Sequence, residues 1–345
     1  MNLIVAGAIV LVDGWTHSGP CELFAFDPGS PAFDDADMSA WRPLSTDPSV
    51  PTPLETFSGP AFVITRAAPA GAPPPTALVF ASPHSGDVYP EDMTSAARLP
   101  VETLRASEDA FVDRIVAGTP ALGASLIRAR FARAYVDLNR EPWELDPAMF
   151  DGDLPEYARG RTARVAAGLG TIPRIAGEGR PIYARKLTFA EAKDRVELAH
   201  RPYHDALDRQ LAAARAAHGV AILIDWHSMP AAAARGQRAK GGGPCDIVLG
   251  DRFGAACSPK LTGLVERELE ALGYRVVRNA PYAGGYTTEH YGRPAKRTHA
   301  LQIEINRALY MNETTREPTE GLAKLTTDAE ALTRALAGLD VAELK

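Results

Sequence analysis

The sequence predicts an α/β fold of a single domain, with a mixed, mostly parallel sheet flanked by helices on both faces. Three observations lead there. Short apolar runs such as 77–81, 125–129 and 220–224 alternate along the chain with stretches of helical periodicity, the order expected of strands and covering helices. The run at 220–224 is apolar enough for a strand buried on both sides, which suits a parallel sheet. With 46% apolar and 23% charged residues the chain can bury a core, although much of the apolar share is alanine, so Leu, Ile, Val and aromatic positions must carry it.

Residues 1–56 read as an N-terminal extension with little core of its own, because 13–53 is rich in Gly, Pro, Ser and Asp with few periodic apolar positions. The apolar run 3–12 lacks a preceding basic residue and is interrupted by Gly7, so it makes a poor signal peptide and is too short to span a bilayer. The folded domain is expected over 57–345. Its first strands are 62–65 and 77–81, joined by a proline-rich loop at 69–75. A helix is expected to open near Ser107, followed by strands at 125–129 and 135–138. The long helical pattern over 189–216 contains Pro202, which should kink or divide it. Strands at 220–224, 246–249, 275–278 and 301–305 follow, with helices at 261–272 and 320–339.

Composition also limits function. A net charge of −6 argues against a broad nucleic-acid surface, and any anionic ligand needs a local arginine cluster. Cys21, Cys245 and Cys257 are far apart and odd in number, which suggests neither a disulfide framework nor a thiolate metal site. A cytoplasmic protein with no membrane partner is the expectation.

Ligands of open α/β sheets sit beyond the carboxyl ends of the strands. The run 77–81 ends at Pro83 and delivers His84 onto a loop of small residues, Ser85 and Gly86, that leaves room for a ligand. The run 220–224 ends in Asp225 and His227, which period two places on one side. Two histidines at strand ends are what a catalytic zinc site needs, together with one carboxylate. A single histidine there is ordinarily structural; the pair carries the argument. Asp87, Glu108 and Asp109 could each supply the carboxylate, and position does not separate them. Asp225 could orient His227 or serve the structure alone. In 301–307, Leu301, Ile303 and Ile305 alternate with Gln302, Glu304 and Asn306, so the polar row can line a cleft and Glu304 can serve as general base. Asn139 and Arg140 end another expected strand, and Arg293 follows the loop of Gly284 and Gly285. Arginine suits a carboxylate because its planar fork binds both oxygens. The small, basic stretch 230–243 reads as a lid or a plain connection.

Eight motifs in order resemble the N-formylglutamate amidohydrolase family. They are Pro83-His84-Ser85-Gly86 with Tyr89-Pro90, the segment from Ser107 to Asp113, Val136-Asp137-Leu138-Asn139-Arg140, Arg201-Pro202-Tyr203-His204, the segment from Asp225 to Pro230, that from Asp246 to Asp251, Gly284-Gly285-Tyr286, and that from Leu301 to Arg307. The motifs lie between Pro83 and Arg307, and the resemblance as a whole runs over about 57–336, leaving the first 55 or so residues outside. The resemblance implies a fold like that of zinc carboxypeptidases and makes 57–345 an amidohydrolase catalytic domain. It implies hydrolysis of N-formyl-L-glutamate to formate and glutamate in histidine breakdown, by a metal-activated water with Glu304 as base. His84, His227 and, among the acids, Asp109 match the family's metal-site positions, with Zn²⁺ the expected divalent ion, although the carboxypeptidase pattern points to Asp87. Asn139 and Arg140 match a carboxylate-binding pair. A dicarboxylate needs two cations, which are expected to be Arg140 and Arg293. The alternatives are a metal amidase for another N-formyl or N-acyl amino acid, or a relative that binds without catalysis.

Overall fold

The computed structural model describes residues 55–344 apart from 60, 69–71, 178, 238, 240 and 241. The expected extension over 1–56 therefore lies outside the described residues except for its last two, which begin the first strand. Cys21 and the apolar run 3–12 lie outside them as well.

The strands are β1 Glu55–Ser58, β2 Phe62–Arg66, β3 Leu78–Ser82, β4 Ser125–Ala129, β5 Ile175–Ala176, β6 Arg180–Pro181, β7 Ala221–Met229, β8 Ile247–Gly250, β9 Val276–Arg278 and β10 Thr298–Asn306. Among the described residues, eight of them form one sheet in the order β1-β2-β4-β3-β7-β10-β8-β9, and β5 and β6 pair separately. The central strands β4, β3, β7 and β10 run parallel, whereas β2 and β8 join them antiparallel. The mixed, mostly parallel α/β architecture is thus the one expected.

Period two sorts the sheet into two core layers. Val79, Ala81, Ala221, Leu223 and Ala300 face the helix Arg201–His218 through Tyr203, Leu207 and Leu211. Leu78, Phe80, Ile222, Ile224, Trp226, Leu301, Ile303 and Ile305 face the helices Pro259–Ala271 and Gly321–Ala337 through Leu261, Val265, Leu325 and Leu332. On the first face the row Ala221, Leu223 continues as Asp225 and His227, and Ala300 continues as Gln302 and Glu304. The apolar layer therefore turns polar at the carboxyl ends of β7 and β10. Their parallel register pairs Gln302 with Asp225 and Glu304 with His227. A slip of one residue would carry Glu304 to the apolar face.

Pro202 does divide the long helical stretch. The helix Phe189–Arg195 widens into a π-turn, Val196–His200, before the helix Arg201–His218 begins. Proline has no N–H to return to the preceding turn, so the wider turn accommodates the missing bond.

Two expected elements are corrected. No helix opens at Ser107: its hydroxyl donates back to Leu104 O at 2.7 Å and closes a 3₁₀ turn, Arg105–Ser107, and the next helix is Val112–Ile115. Residues 135–138 are buried but are not a strand. Tyr135 N bonds to Ala132 O and Asp137 N to Thr171 O, so a turn and a loop contact satisfy a backbone that no neighbouring strand reaches. The glycine-rich segment after 284 holds a helix, Tyr286–Tyr291, and the stretch after Pro230 holds another, Ala231–Arg235. Among the described residues no helix is long and apolar enough to cross a membrane.

Candidate active site

A cavity of about 640 Å³ opens where the first face of the sheet turns polar, and His84, Asp109, Asn139, Arg140, His227 and Glu304 all line it. His84 arrives just beyond β3, His227 near the end of β7 and Glu304 near the end of β10. Asp109 comes from the loop after the 3₁₀ turn, where its N–H donates to His84 O at 3.0 Å. That bond ties the acid to the histidine it serves.

His227 Nδ1 lies 3.1 Å from both His84 Nδ1 and Asp109 Oδ2, and His84 Nδ1 lies 3.4 Å from Asp109 Oδ2. Two donors held at about 2.0–2.1 Å by one tetrahedral ion stand roughly 3.3 Å apart, so the three atoms have the spacing of three zinc ligands. Their surroundings supply the tautomers. A carboxylate only accepts, so His84 Nε2 donates in its 2.7 Å bond to Asp137 Oδ1, and a neutral ring then keeps its lone pair on Nδ1. His227 Nε2 lies 3.0 Å from Asp225 Oδ2, within a fully buried carboxylate that has no well-aligned hydrogen bond of its own. Asn139 Nδ2 approaches the same nitrogen at 3.2 Å.

Charge at the cluster acts against burial on His227 and Asp109. Burial alone would lower the His227 imidazole pKa, but Asp225, Asp109 and Glu304 outweigh it and push it well above the ordinary value. Burial would raise Asp109, yet hydrogen bonds to His227 and His84, with the charges of His84 and Arg307, hold it well below. Burial pushes the Glu304 carboxyl up to about 7, opposed by His227, Arg133 and Arg307 and helped by Asp109. Gln302 Nε2 donates to Glu304 Oε1 at 2.7 Å and orients it.

Of the three acids left open by the sequence, only Asp109 meets the histidines. Glu108 accepts from Tyr89 Oη at 2.7 Å and from Arg105 Nε at 3.2 Å, and with exposed Asp87 it lines a separate cavity of about 540 Å³. The loop 84–87 borders both cavities, through His84 in one and Ser85 and Asp87 in the other, whereas Gly86 itself packs against backbone. A Cβ there would fall 2.2 Å from Phe131 O, so the glycine admits a neighbouring backbone. Gly285 likewise admits the Asn139 amide, which a Cβ would meet at 2.3 Å. Asn139 Oδ1 accepts from Thr287 N at 2.8 Å, which turns Nδ2 toward His227 and Gln302.

Arg140 Nε and Nη1 donate to the carbonyls of Leu169 and Asn139, and Nη2 stands 4.0 Å from Asp137 Oδ2. Arg293 is the correction. It is exposed, donates to the carbonyls of Glu289 and Gly292 at the end of a helix, and lies outside the cavity lining. The chain curls Arg293 back onto its own helix end, where carbonyls attract a cation. Sequence reasoning assigned no role to several groups that do line the cavity, among them Arg307, Arg133, Asp137 and Tyr282. Arg307 Nη2 holds Asp109 Oδ1 at 2.9 Å, Arg133 Nη2 holds Asp137 Oδ2 at 2.7 Å, and Tyr282 brings a phenol that burial and Glu304 keep protonated. Arg307 closes the motif at Glu304 and Asp137 precedes Asn139, so both carried a positional signal; Arg133 and Tyr282 carried none.

The model of the N-formylglutamate amidohydrolase family matches residues 76–311. The chain belongs to that family. Within it, an N-formylglutamate deformylase of Pseudomonas putida is 33% identical over 244 residues, covering 69% of this chain and 82% of the relative. One of Pseudomonas aeruginosa is 31% identical over 242 residues, covering 68% and 82%. The crystal structure of N-formylglutamate amidohydrolase from Ralstonia eutropha JMP134 superposes with a TM-score of 0.73 at 41% identity, covering 80% of this chain and 97% of that one. The stretch matched by the N-formylglutamate amidohydrolase model contains His84, Asp109, Asn139, Arg140, His227 and Glu304.

Proposed function

We propose that the chain hydrolyses N-formyl-L-glutamate to formate and L-glutamate, as a metal-dependent amidohydrolase of histidine degradation. The observation that carries this reading is the convergence of His84 Nδ1, Asp109 Oδ2 and His227 Nδ1 in a cavity that also presents Glu304, in a member of this family. His84, Asp109 and His227 would hold the ion, and two imidazoles with one carboxylate suit catalytic Zn²⁺. Bound there, the ion supplies Lewis acidity toward a carbonyl oxygen and acidifies water.

A formamide has a weakly electrophilic carbonyl and an amine that leaves poorly, so the chain must manage both protons and charge. Glu304 takes the proton of the attacking water and returns it to the departing nitrogen, a role that suits a carboxyl held near the working pH. Arg133 reaches within 4.0 Å of Asp109 Oδ1 and offers positive charge to the oxygen on which charge develops. Asn139 Nδ2 and the Arg140 guanidinium present donors for a substrate carboxylate.

Release of formate from N-formyl-L-glutamate, measured with and without a chelator and after Zn²⁺ is added back, tests the proposal. Release that stops on chelation and returns with metal supports it. No release from the metal-loaded protein defeats the substrate assignment, and faster turnover of N-formyl-aspartate or N-formyl-leucine would name another amide instead.

A further inference from the structure

The cavity holds more positive charge than its acids balance, and the excess is localised. Arg133, Arg140, Arg164, Arg252 and Arg307 line it. Three of them are paired with acids: Arg133 with Asp137, Arg307 with Asp109, and Arg252 with Glu289 at 3.0 Å. Arg140 rests on two carbonyls, and its Nη2 stands 4.0 Å from the Asp137 oxygen that Arg133 holds at 2.7 Å. Arg164 has neither hydrogen bond nor ion pair from its side chain among the described residues.

Arg164 is also tied in place beside Arg140. It lies on the short helix Ala163–Ala166, where the Thr162 hydroxyl accepts from Val165 N. Leu169 N donates to Arg164 O at 2.8 Å, and Leu169 O accepts from Arg140 Nε at 2.8 Å. One residue thus links the two arginines through their backbone and side chain. Burial disfavours the charged form of Arg140, and although Asp137 opposes it, the like charges of Arg133 and Arg164 add to it. Two cations that line one cavity and disfavour each other's charge are stabilised by an anion bound near both.

We propose that Arg164 determines specificity by binding the side-chain carboxylate of the substrate, while Asn139 and Arg140 bind its α-carboxylate. The assignment rests on the formylglutamate reading above. Its chemical logic is distance from the reacting carbon. The α-carboxylate hangs from the carbon next to the amide nitrogen and belongs near Asn139, which touches His227. The side-chain carboxylate lies two carbons farther from the amide, and Arg164 is the cavity arginine left without a partner among the described residues. Arg164 thus replaces the second cation that Arg293 cannot supply.

The test compares kcat/KM for N-formyl-L-glutamate and for the neutral isostere N-formyl-L-glutamine in the parent, Arg164→Gln and Arg164→Lys proteins loaded with Zn²⁺. A charge-assisted contact predicts that Arg164→Gln loses roughly 10- to 100-fold more on the glutamate than on the glutamine substrate, chiefly in KM, and that Arg164→Lys recovers part of the loss. Calorimetric titration with L-glutamate, the product, should weaken in step. If Arg164→Gln keeps the parent's preference, Arg164 is not the determinant even though the substrate reading stands. If the parent cleaves neither compound, both fall together.

Discussion

Glu304 shows how one carboxyl acquires its chemistry from its position. It is buried beside His227 in the parallel register of β7 and β10, and burial lifts its carboxyl to about 7. The carboxylate is the basic form, so kcat/KM should rise with pH as Glu304 loses its proton. A cation held by His84, Asp109 and His227 favours the carboxylate and should move that limb below the metal-free value. Glu304→Gln preserves shape but cannot take a proton. We expect it to lose at least about 10²-fold in kcat with metal content unchanged, and a near-parental kcat would remove Glu304 as the base.

The helices brace the site from behind. His200 Nε2 donates to Arg140 O and His204 Nε2 to Leu138 O, both at 2.8 Å, so the π-turn and the helix after it hold the segment that carries Asn139. That stretch begins at a capping box. Glu191 N donates to Thr188 Oγ1 at 3.2 Å, Thr188 N donates to Glu191 Oε2 at 2.7 Å, and Arg185 binds both Glu191 oxygens. Thr188→Ala should cost about 1 kcal/mol and lower Tm by roughly 2 °C in a thermal melt. The Arg185 contact, against some desolvation, lowers the Glu191 pKa to about 2. A depressed folded pKa makes this contribution complete above the ordinary carboxylate range, and it is lost as pH falls toward about 2. An unchanged melting curve for Thr188→Ala would show that the cap does not limit stability.

At the scale of the whole molecule, the proposed metal ligands come from three separate segments: His84 after β3, Asp109 in a loop and His227 on β7. They converge only in the folded chain, so an ion bound there stabilises the native state alone. Saturating Zn²⁺ at about 100 times its Kd adds roughly 2.7 kcal/mol. Tm of the chelated protein should therefore rise by about 5–10 °C on adding the metal. Asp109→Asn, which keeps the shape and removes the charge, should shrink that shift. Equal melting with and without metal would count against the site.

Local pattern alone determined much of this. The alternation in 301–307 placed Glu304 on the polar face of a strand, the apolar run before Asp225 marked a central strand, and Pro202 marked a break. Each depends on periodicity or backbone chemistry carried by neighbouring residues. The tertiary structure decided what depends on distant partners. Ser107 looked like a helix start, but its hydroxyl turned back to Leu104 and freed Asp109 to reach His84. The apolar segment 135–138 found its hydrogen bonds in turns and loops rather than in a strand. Nothing near Arg293 in sequence said that its guanidinium would cap its own helix, and nothing near Arg164 said that it would line one cavity with Arg140. Periodicity is a property of neighbours along the chain, whereas the pairing of charges is a property of neighbours in space.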